Sequence, residues 1–599
     1  MSMDIFAQIR LQVVAALRAI VPDLPDDVAA RVEVTPPRDA AHGDMATNAA
    51  LLAAKPARRK PAEIAAALVE RLSGLDDVAE ASAAGPGFVN LRLHSAVWRA
   101  VLPEILVDGE AFGDSTMGGR QKVNVEYVSA NPTGPMHIGH CRGAVVGDVM
   151  ANLLAKAGFD VTKEYYINDA GALVTALAWA AYFRYLQALG TKITEEEFSE
   201  EVPGGLQYRG EYLVEVGEKL KEMFANTLAD ADDEGNATIS APHVWLEQVR
   251  AFTIAAMMDA VREDLRLLGV EQDIFVSERA MVESGAVDTA IGKLESAGLI
   301  YEGVLEPPKG KAPEDWEPRE QTLFRSTDFG DDVDRPLRKS DATNTYFAND
   351  ISYHADKIER GFTTMIDVWG ADHGGYVKRM QAAVKAISGN TATLDVVLCQ
   401  IVHIMRGGEP VRMSKRAGTY VTLRDLIEEV GADAVRFTML TRKSDAQMEF
   451  DLDQVVAQTR ENPVFYVQYA HARCRSVLRA AVETYGMDAV ADVTLAGADL
   501  APLTAPEELA LIRRLAGWPR TIEAAAQARE PHRIAFALYD VASDFHMLWN
   551  RGREETALRF LQPEDAIGTK ARLALVAATA VVIRSGLRVM GVRAVEEMR

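Results

Sequence analysis

The sequence predicts a multidomain α/β protein. A small α+β unit comes first, a parallel-sheet domain with insertions follows, and an all-helical bundle closes the chain. Three observations predict this. The chain has 599 residues, which at roughly 150 residues per domain allows three or four domains. Strand-like and helix-like periodicities alternate from about residue 122. Beyond Arg424 nearly every apolar residue falls at helical spacing.

Helical spacing opens the first unit from Ile5 to Ile20. The basic, proline-flanked turn Pro56 to Lys60 precedes a second helix, Ala62 to Leu72. Gly85-Pro86-Gly87-Phe88 reads as a turn feeding a strand, and polar, glycine-rich Gly109 to Gln121 as a linker. Val123 to Val128 alternates like a strand. A loop with Asn131, Pro132, Gly134 and Pro135 leads to a small-residue helix, Gly139 to Gly158, and to a strand, Asp160 to Ile167. Strand–helix–strand order of this size implies a parallel sheet. Residues 185–245 are helical, charged and weakly patterned, like an insertion. Residues 302–340, rich in Pro, Asp and Lys, suggest a hairpin or loop. A second α/β stretch runs from Thr343 to Ser388, with Leu394 to Ile404 as its last strand. Helices are expected over Leu426 to Leu440, Val455 to Val482, Pro506 to Ala528, Arg533 to Gly552 and Lys570 to Met590.

Composition bounds the function. The hydrophobic fraction of 48% and charged fraction of 25% are ordinary for globular proteins. No run reads as the ~18 apolar residues of a membrane span, and the first residues lack a signal peptide's layout, so a cytoplasmic location is expected. The three cysteines, Cys141, Cys399 and Cys474, are odd in number and far apart. They make no disulfide framework and no Cys-x-x-Cys, so no structural zinc and no other resident metal is expected. Cys141 reads as a small buried thiol. The net charge of −23 runs against nucleic-acid binding on average, but a local basic face can still neutralise phosphates.

Two stretches carry chemistry. Asn131-Pro132-Thr133-Gly134-Pro135-Met136-His137-Ile138-Gly139-His140 falls where a strand gives way to a helix. Unpaired N–H groups and the partial positive charge of a helix N-terminus favour phosphate there. His137 and His140 lie on one face of the first turn and can donate hydrogen bonds as charge develops. Gly139 between them lets a flat base approach the backbone. Some 270 residues on, Arg412-Met413-Ser414-Lys415-Arg416-Ala417-Gly418-Thr419 places three cations on a short loop with hydroxyls and glycine. Such a loop can stabilise charge leaving on pyrophosphate. Either stretch alone also reads as a polar cap or a basic turn; together they point to a split ATP site.

These stretches resemble the HIGH and KMSKS signatures of class I aminoacyl-tRNA synthetases. The rest of the chain resembles the bacterial-type arginyl-tRNA synthetase family. Glu126-Tyr127-Val128-Ser129-Ala130-Asn131 is similar to its strand before HIGH, and Tyr165-Tyr166-Ile167-Asn168-Asp169-Ala170-Gly171 to its Tyr-Tyr-x-Asn-Asp-Ala-Gly motif. Tyr346-Phe347-Ala348-Asn349-Asp350 resembles its substrate helix, Asp367-Val368-Trp369-Gly370-Ala371-Asp372-His373 its nucleotide-proximal turn, and Asn462 to Ala470 the opening of its anticodon-binding bundle. In the second signature Arg412 and Arg416 depart from Lys-Met-Ser-Lys-Ser, while Lys415 keeps its lysine.

The resemblance implies a tRNA-binding domain over 1–112 and a Rossmann-like catalytic domain over 113–405, with insertions at about 185–245 and 302–340. A KMSKS-type loop with connecting helices would follow over 406–455, and an anticodon-binding domain over 456–599. It implies activation of arginine by ATP, with Mg²⁺ on the substrate complex, and transfer to the 3′ end of tRNA(Arg). Activation would require bound tRNA, and the enzyme would act as a monomer. His137, His140, Lys415 and Arg412 would be catalytic. Pro135, Gly139, Gly370, Asp372, His373, Met413 and Ser414 would hold ATP. Glu126, Ser129, Asn131, Tyr346 and Asp350 would bind arginine, whose guanidinium needs carboxylates. Arg38, Tyr466, Tyr469, Arg473 and Trp549 are candidates for tRNA contact. Bland alternatives stay open: Glu126 as a strand-end surface charge, Tyr346 as core packing, Asp350 as a helix cap. A class I synthetase for another amino acid, or a small-molecule nucleotidylyltransferase, remains the alternative function.

Overall fold

The computed structural model describes residues 4–37, 39–305, 319–411 and 421–598. They form two compact units. One comprises Met1–Met117, Gln458–Ala528 and Arg533–Arg599; the other comprises Gly118–Ala457 and Arg529–His532.

The second unit is organised by a five-stranded sheet. Its strands are β1 (Lys122–Glu126), β2 (Asp160–Ile167), β3 (Ile274–Ser277), β4 (Thr364–Gly370) and β5 (Thr393–Cys399). Every pairing is parallel, and the spatial order is β5-β4-β1-β2-β3. The strand order reverses between β1 and β4, which is where open parallel sheets leave a crevice for ligands. β1 is buried from Val123 to Glu126, as a central parallel strand covered on both faces should be. Helix α1 (Ile138–Lys156) follows β1 and is buried along most of its length. Gly147 permits this seating, because a Cβ there would stand 2.3 Å from the Tyr127 ring.

Several elements differ from the sequence reading. β1 stops at Glu126, two residues short of the expected end, because Val128 and Ser129 take positive φ values of 73° and 41°. The layer placed at 185–245 is larger. One apolar cluster runs from Leu177 to Met257, joining Ala172–Ala188, Tyr212–Phe224 and helix α2 (Pro242–Leu268), with a two-stranded hairpin between them. In the stretch 302–340, read as a hairpin or a loop, Ile300–Gly303 pairs antiparallel with Gln321–Phe324, and Arg335–Arg338 adds a third strand; residues 306–318 lie outside the described residues. Leu394 to Ile404 is two strands, not one: β5 ends at Cys399, and Val402–Arg406 joins a separate sheet with Met448–Asp451, a strand the helical reading passed over. Leu426 to Leu440 is likewise two helices, broken at Gly431, where φ is 82°.

The first unit holds helix Ile5–Ile20, begun by Asp4 accepting a hydrogen bond from the Phe6 N–H. It also holds a four-stranded antiparallel sheet ordered Val34–Thr35, Met45–Thr47, Phe88–Leu93, Val78–Ala84. Pro56 lies inside helix Ala49–Ala57 rather than in a turn. The long helices of this unit include Pro463–Tyr485, His532–Glu554 and Ala566–Val589. The last is long and apolar enough to cross a membrane, which the sequence reading missed; most of it is buried among its neighbours, as a core helix is.

Candidate active site

His137 is the N-cap of α1 and His140 its third helical residue. The His137 N–H donates to Nδ1 of His140 at 3.3 Å, and the Gly139 N–H donates to Nδ1 of His137 at 3.1 Å. An N–H can only donate, so both rings accept at Nδ1 and carry their hydrogen on Nε2. The rings stack at 4.0 Å between centroids. Gly139 leaves room for the His137 ring, which a Cβ there would approach to 2.8 Å unless the ring shifted. The cap is tied to the residues just past the second signature. His137 forms an antiparallel bridge with Thr422, and the Leu423 N–H donates to the Met136 carbonyl at 2.9 Å. Arg412, Met413, Ser414 and Lys415 themselves lie outside the described residues, as does Arg38.

The strained backbone at Val128 and Ser129 has a visible purpose. It folds Ser129 back so that its Oγ donates to Oε1 of Glu126 at 2.9 Å and accepts from the Tyr166 N–H at 3.1 Å. A β-branched valine at positive φ costs about 1–3 kcal/mol and persists only where its surroundings impose it. Glu126 is buried, not a surface charge. Asn131 is exposed at the head of the loop, and Pro135 is half-buried within it.

Helix α3 (Tyr346–Glu359) crosses beside these strand ends. Thr345 caps it, not Asp350. Tyr346 is 71% exposed, so it is not core. Asp350 accepts from the Tyr376 hydroxyl at 2.6 Å. Burial, helped by the charges of Glu278 and Glu126, pushes its carboxyl up to about 6. Glu278, which the sequence reading missed, is buried at the first turn of Glu278–Glu283 and accepts from the Asn349 side-chain amide at 3.0 Å. Burial raises its carboxyl as well. Nothing in the local sequence marks it apart from a glutamate following the capping Ser277.

Deeper along α3, the His354 Nδ1 meets the Asp350 carbonyl at 2.8 Å and its Nε2 meets Asp367 Oδ2 at 3.0 Å. Carbonyl and carboxylate oxygens only accept, so both ring nitrogens hold hydrogens and His354 is an imidazolium; Asp367 draws its pKa up. Lys357, with no exposed surface, donates to Glu126 Oε2 at 2.7 Å and to Asp367 Oδ1 at 3.2 Å. Gly370, Asp372 and His373 stand at the C-terminal end of β4 and in the turn after it, with both side chains exposed. The Cys141 thiol is buried and pushed up to about 12, which removes it as a nucleophile.

In the helical bundle, a cavity of about 420 Å³ is lined by Tyr466, Tyr469 and Arg473, which the sequence singled out, and by Arg460, His546 and Asn550, which it did not. Arg473 lies over the Tyr469 and Trp549 rings at 4.1 and 4.8 Å.

Family models match at residues 7–93 (arginyl tRNA synthetase N terminal domain), 101–196 (tRNA synthetases class I (R), catalytic domain) and 467–598 (DALR anticodon binding domain). The arginine–tRNA ligase of Gluconobacter oxydans is 62% identical, over 99% of this chain and 98% of its own. That of Paracoccus denitrificans is 56% identical over 100% of both. Among solved structures, Thermus thermophilus arginyl-tRNA synthetase superposes with a TM-score of 0.73 at 20% identity, covering 99% of this chain and 100% of its own. The enzyme of Plasmodium falciparum does so at 0.68 and 16% identity, over 99% of each chain. A parallel sheet with paired histidines at the helix after its central strand is thus the catalytic domain of a class I aminoacyl-tRNA synthetase. Within that class, the chain belongs to the arginine–tRNA ligase family.

Proposed function

We propose that the protein joins arginine to tRNA(Arg) in two steps at the crevice between β1 and β4. One observation carries the choice of amino acid. Glu278 is buried and Asp350 half-buried; both carboxylates are held by neutral donors, and among the described residues neither makes an ion pair. A buried carboxylate without a cation is costly. A planar guanidinium supplies the missing charge and up to five N–H donors. Tyr346, exposed at the start of α3, would cover the side chain. Glu126, Ser129 and Asn131 would take the α-amino and carboxylate groups.

In the first step an arginine carboxylate oxygen attacks the α-phosphorus of ATP, and the bond to pyrophosphate breaks. His137 and His140 present Nε2–H donors at a helix N-terminus, where negative charge is favoured. Pro135 and Gly139, with Gly370, Asp372 and His373 across the crevice, would seat the nucleotide. Met413 and Ser414 would close over it, and Lys415 with Arg412 would meet the leaving pyrophosphate. Mg²⁺ would arrive on ATP, held mainly by phosphate oxygens and offsetting their charge. In the second step a ribose hydroxyl at the tRNA 3′ end attacks the adenylate carbonyl and AMP leaves. No side-chain nucleophile is needed; positioning and charge stabilisation suffice. Tyr466, Tyr469, Arg473 and Trp549 would receive an unstacked tRNA base, and Arg38 would touch tRNA from the 1–112 domain. The enzyme would act as a cytoplasmic monomer.

The test is ATP–pyrophosphate exchange across the twenty amino acids, with and without total tRNA. Exchange with arginine alone, and only with tRNA, supports this reading. Exchange driven by another amino acid, or without tRNA, supports a different synthetase or a small-molecule nucleotidylyltransferase.

A further inference from the structure

Asp367, Glu126 and Glu164 occupy one row across β4, β1 and β2: Asp367 is the register partner of Glu126, and Glu126 that of Glu164. Three neighbouring carboxylates, all buried, repel one another strongly at low dielectric. Helix α3 and its C-cap answer with His354, Lys357 and Arg360, spaced three residues apart. His354 faces Asp367, Lys357 reaches both Asp367 and Glu126, and Arg360 grips Glu164 with two bonds of 2.7 and 2.9 Å. Three anions thus meet three cations. The outer carboxylates are closed off: Glu164 also accepts from Asn124 and from the Tyr353 hydroxyl, and Asp367 takes His354 and Lys357. Glu126 is the member of the row that also accepts from Ser129, in the loop after β1.

We infer that Lys357 is a positioning residue for amino-acid binding, its ammonium fixing Glu126 Oε2 while Ser129 fixes Oε1, so that the carboxylate is aimed at the substrate's α-amino group. The inference rests on the reading of Glu126 given above. Lys357 never touches substrate, since it has no exposed surface and its ammonium lies 4.3 Å over the Tyr353 ring. The groups that face Glu126 and Lys357 are Asp367 from β4, Glu164 and Tyr166 from β2, and Tyr353 and His354 from α3. Without Lys357, Glu126 faces Asp367 with one cation fewer and takes up a proton. A protonated Glu126 no longer attracts an ammonium, and base restores it.

The experiment measures kcat and KM for arginine and for ATP from pH 6.5 to 9 in Lys357→Met, Lys357→Gln, Lys357→Arg and Glu126→Gln, in full-length enzyme with tRNA. In Lys357→Met the arginine KM should rise at least tenfold at pH 7, shrink toward wild type as pH rises, and leave the ATP KM within twofold. Lys357→Gln, which retains a donor without the charge, should behave alike and keeps the test open if the methionine variant does not fold. Lys357→Arg should restore most of the affinity. A loss that is independent of pH or shared with ATP overturns the inference, as does an unchanged arginine KM in the uncharged variants. Glu126→Gln separates the two readings: an unchanged arginine KM there overturns the role of Glu126 itself, whereas a raised one beside normal Lys357 variants overturns only the part given to Lys357.

Discussion

The strand-end site of the catalytic unit and the cavity of the helical bundle each contain a buried histidine, and the two end in opposite charge states. Both rings hydrogen-bond a backbone carbonyl: His354 that of Asp350, His546 that of Tyr466. The second nitrogen decides. In His354 it meets the Asp367 carboxylate, so it must carry a hydrogen and the ring is cationic. In His546 it accepts from the Arg473 guanidinium at 3.2 Å, so the ring is neutral, and burial beside that cation depresses its pKa to about 4. The partners suit different ligands. Under the proposed function, carboxylates arranged by strand register and helix cations would hold a fixed charge at a set position. Under the same proposal, rings gathered about one arginine would suit a flat, uncharged base, read by stacking and edge hydrogen bonds.

Glu278→Gln probes the charge side of this contrast. Losing the buried one of the two carboxylates should weaken arginine binding by about 2 kcal/mol, seen as a 10- to 100-fold rise in arginine KM with the KM values for ATP and tRNA unchanged. An equal rise in all three would mean that Glu278 only supports the fold.

Arg473→Met probes the ring side. It removes the cation that lies over Tyr469 and Trp549, contacts worth about 1 kcal/mol at partly exposed sites. The tRNA KM should rise about fivefold while arginine and ATP are unaffected. A change in arginine KM alone would break the division between the two regions.

The smallest effect has opposite sign in the two histidines. His354 is raised above 6.5 in the folded protein, so its contribution to stability is complete below pH 6.5 and is lost as pH rises through the folded value. His546 is lowered to about 4, so between pH 6.5 and 4 the unfolded chain takes up a proton the folded chain refuses, and stability falls as pH falls. Melting curves from pH 5 to 8 should show His546→Gln losing part of the wild-type fall on the acid side. His354→Gln should lose most, relative to wild type, at the acid end, where the imidazolium contributes fully. Parallel curves for the two variants would contradict the assigned charges.

Much of this was legible in the sequence for physical reasons. Val123 to Val128 alternates as a strand does, and His137 and His140 follow it, through a proline–glycine loop, at the start of a helical pattern. Tyr346 and Asp350 one turn apart already place two groups on one face. The carboxylate row was not legible, because which residue of β4 stands beside Glu126 is a matter of register between strands more than 200 residues apart. The turn at Val128 was hidden for the opposite reason: valine favours extended backbone, and only the bonds made by Ser129 show why it yields. Met448–Asp451 is four residues long, too short for its periodicity to stand against helical neighbours. His546 sat unnoticed on an apolar helix face, since nothing along the chain reveals that Arg473 points at it.

In the proposed function α3 reads arginine through Asp350. This is tested most directly by the arginine KM of Asp350→Ala at pH 7.5, measured with the ATP KM in the same tRNA-dependent exchange assay. Arginine affinity should fall by about 3 kcal/mol or more, a hundredfold or greater rise in KM, because the charged guanidinium is left unanswered; the ATP KM should stay within twofold. An unchanged arginine KM would contradict it.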